Sequence, residues 1–166
     1  KNVLGLLRAT RELARIRQDF TLTLVGTGVD WCRVKTYANT LDFPEGMLCW
    51  TGELAPREVC TRMQEADCFV LFSRYENAPV VLSECMAVGL PIVSSRAGGI
   101  AEMVDERSGV LVPVGDEAEL CKAMLRMLDH HNDYDSSYMR SRGRMYSYKQ
   151  VGEQLKTIYQ SAIERS

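Results

Sequence analysis

The chain is expected to fold as an open parallel α/β sheet with helices on both faces, truncated at its first strand. Three features predict this. Helical and strand-like patterns alternate with short connections from one end to the other. The strand-like runs are short and often continuously apolar, as in a sheet buried on both sides. The pattern also opens on a helix, whereas doubly wound sheets open on a strand that lies centrally. A sheet without that strand would leave backbone groups unpaired at costly positions.

Each element has its own signal. Leu4, Leu7, Leu13 and Ile16 recur at helical spacing and predict an amphipathic helix over 2–17. PheThrLeuThrLeuVal at 20–25 alternates, is β-rich and stops at Gly26, so it predicts a strand. A helix is expected over 29–40, and a strand at 47–51 closed by Gly52. ProArgGluValCys at 56–60 begins another helix, with Pro56 in its first turn. CysPheValLeuPhe at 68–72 is a buried strand. Pro79 is expected at the first position of a helix that ends near Gly89, ahead of a strand at 91–95. A short helix after Gly98 and Gly99 and a strand at 110–112 follow. Leu120, Met124, Leu125 and Leu128 form one helical stripe, and Val151, Leu155, Ile158, Tyr159 and Ala162 form a terminal one. The stretch 129–148 is polar, rich in Tyr and Arg, and reads as a connection into the last helix. The whole chain, 1–166, reads as a single lobe with 129–166 a C-terminal helical extension.

Composition narrows the classes. Hydrophobic residues are 46% and charged residues 25% of 166, an ordinary globular balance. With 20 Lys+Arg against 22 Asp+Glu, the net charge of −2 excludes a strongly basic nucleic-acid binder. No apolar run approaches the ~20 residues that span a bilayer, and no apolar signal segment follows Lys1. Peripheral membrane contact stays open. The six cysteines form no CxxC pair, and the histidines are adjacent at 130 and 131, so zinc-site spacing is absent. The cysteines read as reduced core residues of a cytosolic protein.

Ligands of such sheets sit beyond the carboxyl ends of the strands. The most informative loop there is SerArgTyrGluAsnAlaPro at 73–79, which runs into a helix. The N–H groups of Val80 and Val81 would point out of that helix start without partners, a place that favours phosphate. Glu76 and Glu84 flank this anion site, and carboxylates accept hydrogen bonds from vicinal hydroxyls. The combination suits a nucleoside diphosphate sugar. On spacing alone the plainer reading, a loop charge and a solvated helix residue, is the stronger.

Residues 73–95, with Glu76 and Glu84 separated by seven residues, resemble the E-x7-E signature of GT-B glycosyltransferases of family four, the glycosyl transferases group 1. AlaGlyGlyIleAlaGluMetVal at 97–104 and SerGlyValLeuValPro at 108–113 resemble the family's next blocks. LeuValGlyThrGly at 24–28, TrpThrGlyGluLeu at 50–54 and Lys1-Asn2-Val3 resemble its earlier ones. The resemblance implies the Rossmann-like, donor-binding C-terminal lobe of a two-lobed, retaining enzyme that moves a hexosyl group to an acceptor hydroxyl. It implies that Glu76 contacts the donor sugar and Lys1 neutralises the departing diphosphate, both catalytic. Glu84 would bind the ribose, and Asn77, Ala78, Pro79, Val80 and Val81 would line the donor site. Gly52 and Leu54 would lie near the base. The family pattern often has Gly-Phe-Gly where this chain has AsnAlaPro, and its Arg ahead of Lys1 is not in the sequence.

The implied donor is a UDP-, GDP- or ADP-sugar, with no metal or other cofactor. The acceptor would be a glycan or lipid-linked saccharide held by a missing N-terminal lobe, with no nucleic-acid partner. Without that lobe the chain is expected to be inactive yet able to bind a nucleoside diphosphate weakly. The implied location is cytoplasmic, with the inner membrane face open to the whole protein. Two alternatives are an epimerase-like relative and a non-catalytic nucleotide-sugar-binding module. GlyThrGly at 26–28 lacks the third glycine of a dinucleotide fingerprint, because position 31 is Trp. Gly98 and Gly99 either cradle a phosphate or form a tight turn. Glu102, Trp31, Trp50, His130 and His131 are expected to be structural or solvated.

Overall fold

The computed structural model describes residues 1–165. Its elements follow the predicted order: α1 (Val3–Ile16), β1 (Leu22–Val25), α2 (Trp31–Asn39), β2 (Leu48–Gly52), α3 (Pro56–Glu65), β3 (Phe69–Leu71) and α4 (Val80–Val88). They continue with β4 (Ile92–Ser95), α5 (Ile100–Met103), β5 (Gly109–Val112), α6 (Glu117–His130), α7 (Ser136–Arg144) and α8 (Tyr148–Ile163).

The strands form two parallel groups. β1 pairs with β2, and β4 lies between β3 and β5. Side chains of the three-stranded group alternate between two cores, as the period of a strand requires. Val70, Phe72, Val93 and Val112 face α1 and α6, against Leu13, Leu120, Met124 and Met127. Phe69, Leu71, Ile92 and Leu111 face α3, α4 and α5, against Met63, Leu82, Met86 and Ile100. This double burial explains the absence of polar alternation at 68–72. The β1–β2 pair packs Leu22, Leu24, Leu48 and Trp50 on α1 and α2 through Leu7, Val34 and Ala38.

β1 and β3 do not pair with each other. A cleft of about 1490 Å³ runs between them, lined along its length by Thr21–Val25 and Cys68–Phe72. Contacts at its two ends fix the direction of its walls. At one end Arg17, after α1, pairs with Asp19 and with Asp129 of α6, and His131 lies 3.6 Å from Asp67, just before β3. At the other end Lys1, just before α1, pairs with Glu76, after β3. β1 and β3 therefore run the same way, antiparallel to α1.

The stretch 129–148 is not a simple connection. It holds a short 3-10 turn at His131–Asp133 and the helix α7, capped by the Asp135 carboxylate, which accepts from the Ser137 and Tyr138 N–H groups at 2.9 and 3.0 Å. Met139 is fully buried, and Gly143 lies so close to α4 that a Cβ there would sit 2.8 Å from the Ala87 nitrogen. Tyr138 donates to the Asp105 carboxylate beneath the Arg107 guanidinium, whose carbon is 3.7 Å from the ring centroid. The cysteines also depart from expectation: Cys85 and Cys121 are buried, but Cys32, Cys49 and Cys60 are exposed, and all six are free. Among the described residues no helix is long and apolar enough to cross a membrane.

If Met139 anchors α7, Met139→Ala should lower the unfolding free energy by about 2–4 kcal/mol. Urea denaturation measures this, and a loss below about 0.5 kcal/mol would show that α7 is a loose appendage.

Candidate active site

The loop after β3 is shaped by a backbone contact across the sheet. Gly98 has φ +53°, and a Cβ on it would lie 1.8 Å from the Glu76 carbonyl oxygen; one on Gly99 would lie 2.2 Å from that of Asn77. Both positions therefore need glycine. Of the two readings of this pair, the structure supports the turn: the glycines let the loop after β4 press on the loop after β3. The Ser95 hydroxyl ties the same loops by donating to the Ser73 carbonyl, and the Ser94 hydroxyl donates to the Leu71 carbonyl at 2.8 Å.

Glu76 is held on this support. Its Oε1 accepts from Lys1 Nζ and, at 2.6 Å, from the Ser73 hydroxyl. The side chain is only 12% exposed. Burial pushes the carboxyl up, but the hydrogen bonds from Lys1 and Ser73, with the lysine charge, outweigh it and leave Glu76 below the usual carboxylate range. Ser73 is a site residue that the sequence reading missed. Its only sequence signal is position, three residues before a loop glutamate.

Pro79 is the residue that caps α4, not its first helical residue as predicted. Its φ of −68° and ψ of 115° are extended, and the helix starts at Val80. The preference of proline for a φ near −65° suits either place. No side chain caps this end, and the Leu82 N–H already bonds back to the Pro79 carbonyl at 3.0 Å. The N–H groups of Val80 and Val81 have no acceptor within the helix. Aligned peptide dipoles add a partial positive charge there. The start of α1 is likewise uncapped, with Asn2 in the left-handed region at φ 51°. By contrast, α6, α7 and α8 are capped by Asp116, Asp135 and Ser147, and the Glu58 carboxylate accepts from the Ala55 N–H at the head of α3.

Lys1, Pro79, Val80 and Val81 line one mouth of the cleft, with Asn2 and Gly26–Asp30. Glu76 joins them through Lys1. Glu84 is exposed, four residues after Val80 and thus on the same helix face. Asn77 and Ala78 are exposed on the loop. Gly52 has φ +72°, and its carbonyl accepts from the Gly26 N–H at 2.7 Å, so the loops after β1 and β2 are joined. Leu54 is half-buried beside them in sequence. Trp31 and Trp50 stack edge to face at 5.3 Å with Lys35 4.8 Å from the first ring. His130 is exposed against Asp133, but His131 is half-buried rather than solvated. Among the described residues no three His, Cys, Asp or Glu side chains gather as they would around a metal ion.

Comparison with known proteins adds the lineage. The family model described as "Glycosyl transferases group 1" matches residues 1–130. The chain belongs to this glycosyltransferase family. An amylovoran biosynthesis glycosyltransferase of Erwinia amylovora is 31% identical over 166 residues, covering 92% of this chain and 40% of its own. The Vi polysaccharide biosynthesis protein VipC/TviE of Salmonella typhi is 45% identical over 96 residues, 58% of this chain and 16% of its own. Among solved structures, Anabaena HepE in complex with UDP superposes with a TM-score of 0.85 at 20% identity, over 97% of this chain and 45% of that one. At that identity the likeness is one of fold, and it is shared with other GT-B glycosyltransferases. The chain spans less than half the length of these relatives.

Two outcomes follow from the geometry. Gly98→Ala should destabilise the protein by more than about 1 kcal/mol, because the left-handed backbone and the Glu76 carbonyl both oppose a side chain; thermal unfolding equal to that of the parent would contradict the contact. A depressed Glu76 stabilises the fold fully above the unfolded carboxyl value, near pH ~4.3, and loses this as pH falls through its lower folded value. The stability difference between parent and Glu76→Gln should thus be constant from pH 7 to about 5 and shrink below about 4. A difference that instead grows on acidification would contradict the assignment.

Proposed function

We propose that this chain is the donor-binding lobe of a retaining glycosyltransferase, taking a nucleoside diphosphate sugar and delivering its hexosyl group to an acceptor hydroxyl. The observation that carries this is the uncapped start of α4, where the Val80 and Val81 N–H groups stand at a cleft mouth with Lys1 beside them. In this reading the diphosphate lies on those N–H groups. Lys1 has three donors, so it can hold Glu76 and a phosphate oxygen together. Glu84 accepts from the ribose hydroxyls. Glu76, fixed by Ser73 and Lys1, accepts from a hydroxyl of the sugar and orients it. Asn77 and Ala78 border the sugar, and Gly52 and Leu54 lie towards the base.

The chemistry asked of these groups is electrostatic. As the glycosidic bond breaks, negative charge grows on the diphosphate, where the α4 dipole and Lys1 are already placed to meet it. The acceptor hydroxyl attacks from the face the leaving group departs and passes its proton to the departing diphosphate oxygen as the bond from the anomeric carbon to that oxygen breaks, which retains the anomeric configuration. This scheme assigns no role to a metal. Residues 129–165 act as a helical extension of the lobe, and the acceptor is held by a second lobe corresponding to the part of the relatives that this chain does not span. Alone, the chain binds nucleotide weakly and transfers nothing. The polysaccharide-synthesis role of several relatives supports a glycan or lipid-linked acceptor and a cytoplasmic location, with peripheral contact at the membrane.

Calorimetric titration of the full-length protein with UDP, GDP, ADP and their sugars tests the reading. Glu84→Ala should weaken nucleotide binding at least about tenfold, the effect of ~1.4 kcal/mol. Glu76→Ala should leave the bare nucleotide within about threefold but weaken the nucleotide sugar about tenfold or more. Unchanged affinity in both variants would remove the site, and binding without any transfer would leave a non-catalytic module.

A further inference from the structure

A second cavity, of about 390 Å³, lies at the opposite end of the sheet from the candidate site. Its walls come from the turn before β3, the link from α4 to β4 and the start of α7, with Asp67, Gly89, Pro91 and Arg140 among them. The nine residues of α4, roughly 13 Å of helix, separate it from the N–H groups of Val80 and Val81. Gly89 lets α7 close one wall. Its φ is +80°, and a Cβ on it would lie 2.9 Å from the Ser136 Cβ and 3.3 Å from the Arg140 Cζ. The volume is that of a small-molecule site, but the lining is mostly polar where such sites are mostly apolar.

The polar groups of this cavity are short of partners. His131 Nε2 is 3.6 Å from the Asp67 carboxylate, while Nδ1 is buried and has no hydrogen-bond partner. Such a nitrogen is unfavourable until something bonds to it. Arg140 uses only two of its donors, on the Ser136 hydroxyl at 3.4 Å and the Val88 carbonyl at 3.3 Å, and both bonds are long. Among the described residues, the Gln64 and Asn132 amides that line the cavity make no hydrogen bond to the protein.

We propose that this cavity is a second ligand site, and that it takes a neutral saccharide. Charge is the first argument. Arg140 and Asp67 cancel, so the walls select neither an anion nor a cation. Hydrogen-bond chemistry is the second. A sugar hydroxyl both donates and accepts, so its site needs donors and acceptors side by side. Here Asp67 accepts, Arg140 donates, Gln64 and Asn132 do both, and His131 Nδ1 serves either way according to its tautomer. The half-buried ring of Tyr134 gives the C–H face of a sugar an apolar surface. A lipid or aromatic ligand would find too little such surface. The chain also belongs to a family whose reaction handles saccharides. This inference does not rest on a nucleotide sugar being held at the start of α4.

Methyl NMR on the full-length protein, isotope-labelled at its methionine methyl groups, tests it. Met63 lines the cavity and reports on it, and Met145, after α7 and outside the cavity, is the control. The probes are the neutral trisaccharides of glucose, galactose and mannose, at millimolar concentration, and inorganic phosphate. At least one saccharide should shift the Met63 signal saturably and leave Met145 in place. Replacing both amides, Gln64→Ala with Asn132→Ala, should weaken that binding about tenfold or more with thermal unfolding unchanged. No saturable Met63 shift with any of the saccharides would overturn the proposal, as would a shift that survives the double substitution. A response to phosphate and to no saccharide would make the cavity an anion site and also overturn it. UDP binding is read separately on the same protein, so this inference and the donor-site reading fail independently.

Discussion

A side chain at position 98 would drive its first carbon into the Glu76 carbonyl, and much of the candidate site follows from that exclusion. Because residues 98 and 99 are glycines, the turn after β4 can rest directly on the backbone of residues 76 and 77. That contact sets the path of the loop after β3, and the loop in turn decides where α4 starts. The helix end, its bare N–H groups and the half-buried carboxylate of Glu76 are consequences of two backbones meeting without side chains between them.

Electrostatics then act on a frame already made. Ser73 and Lys1 both reach Glu76, so its charge is fixed in position and favoured over its neutral form despite burial. Lys1 arrives from the head of α1, across the cleft from β3 in sequence but adjacent in space. Two helix starts, at α1 and α4, thus open on the same mouth. The two cores keep this geometry stiff. One packs α1 and α6 against one face of the sheet, the other packs α3, α4 and α5 against the opposite face, and α7 braces α4 from outside.

Much of the fold was legible in the sequence because its signals are local. Short apolar runs at 68–72, 91–95 and 110–112 and the helical stripes at 4–16 and 120–128 each state their own structure. The helix α7 was not legible, because among its residues only Met139 is a large apolar side chain. Its stability comes from a partner helix that no local pattern reveals. The exposed Cys32, Cys49 and Cys60 misled for the opposite reason, since their burial was inferred from apolar neighbours in sequence alone. In the site, Glu76, Glu84 and the helix start stood out by spacing and resemblance. The role of Gly98 and Gly99 did not, because it depends on a contact between loops more than twenty residues apart; Ser73 did not, because only the folded path of its loop brings the hydroxyl onto the Glu76 carboxylate three residues on. Pro79 shows a finer limit: its φ is compatible with either the cap or the first helical turn, and its extended ψ of 115° separates the two.

The most direct measurement is a crystal structure of the full-length protein with a nucleoside diphosphate bound. The account predicts phosphate oxygens within about 3 Å of the Val80 and Val81 nitrogens and a ribose hydroxyl on the Glu84 carboxylate. A diphosphate seated away from the start of α4, with those two N–H groups left to solvent, would contradict it.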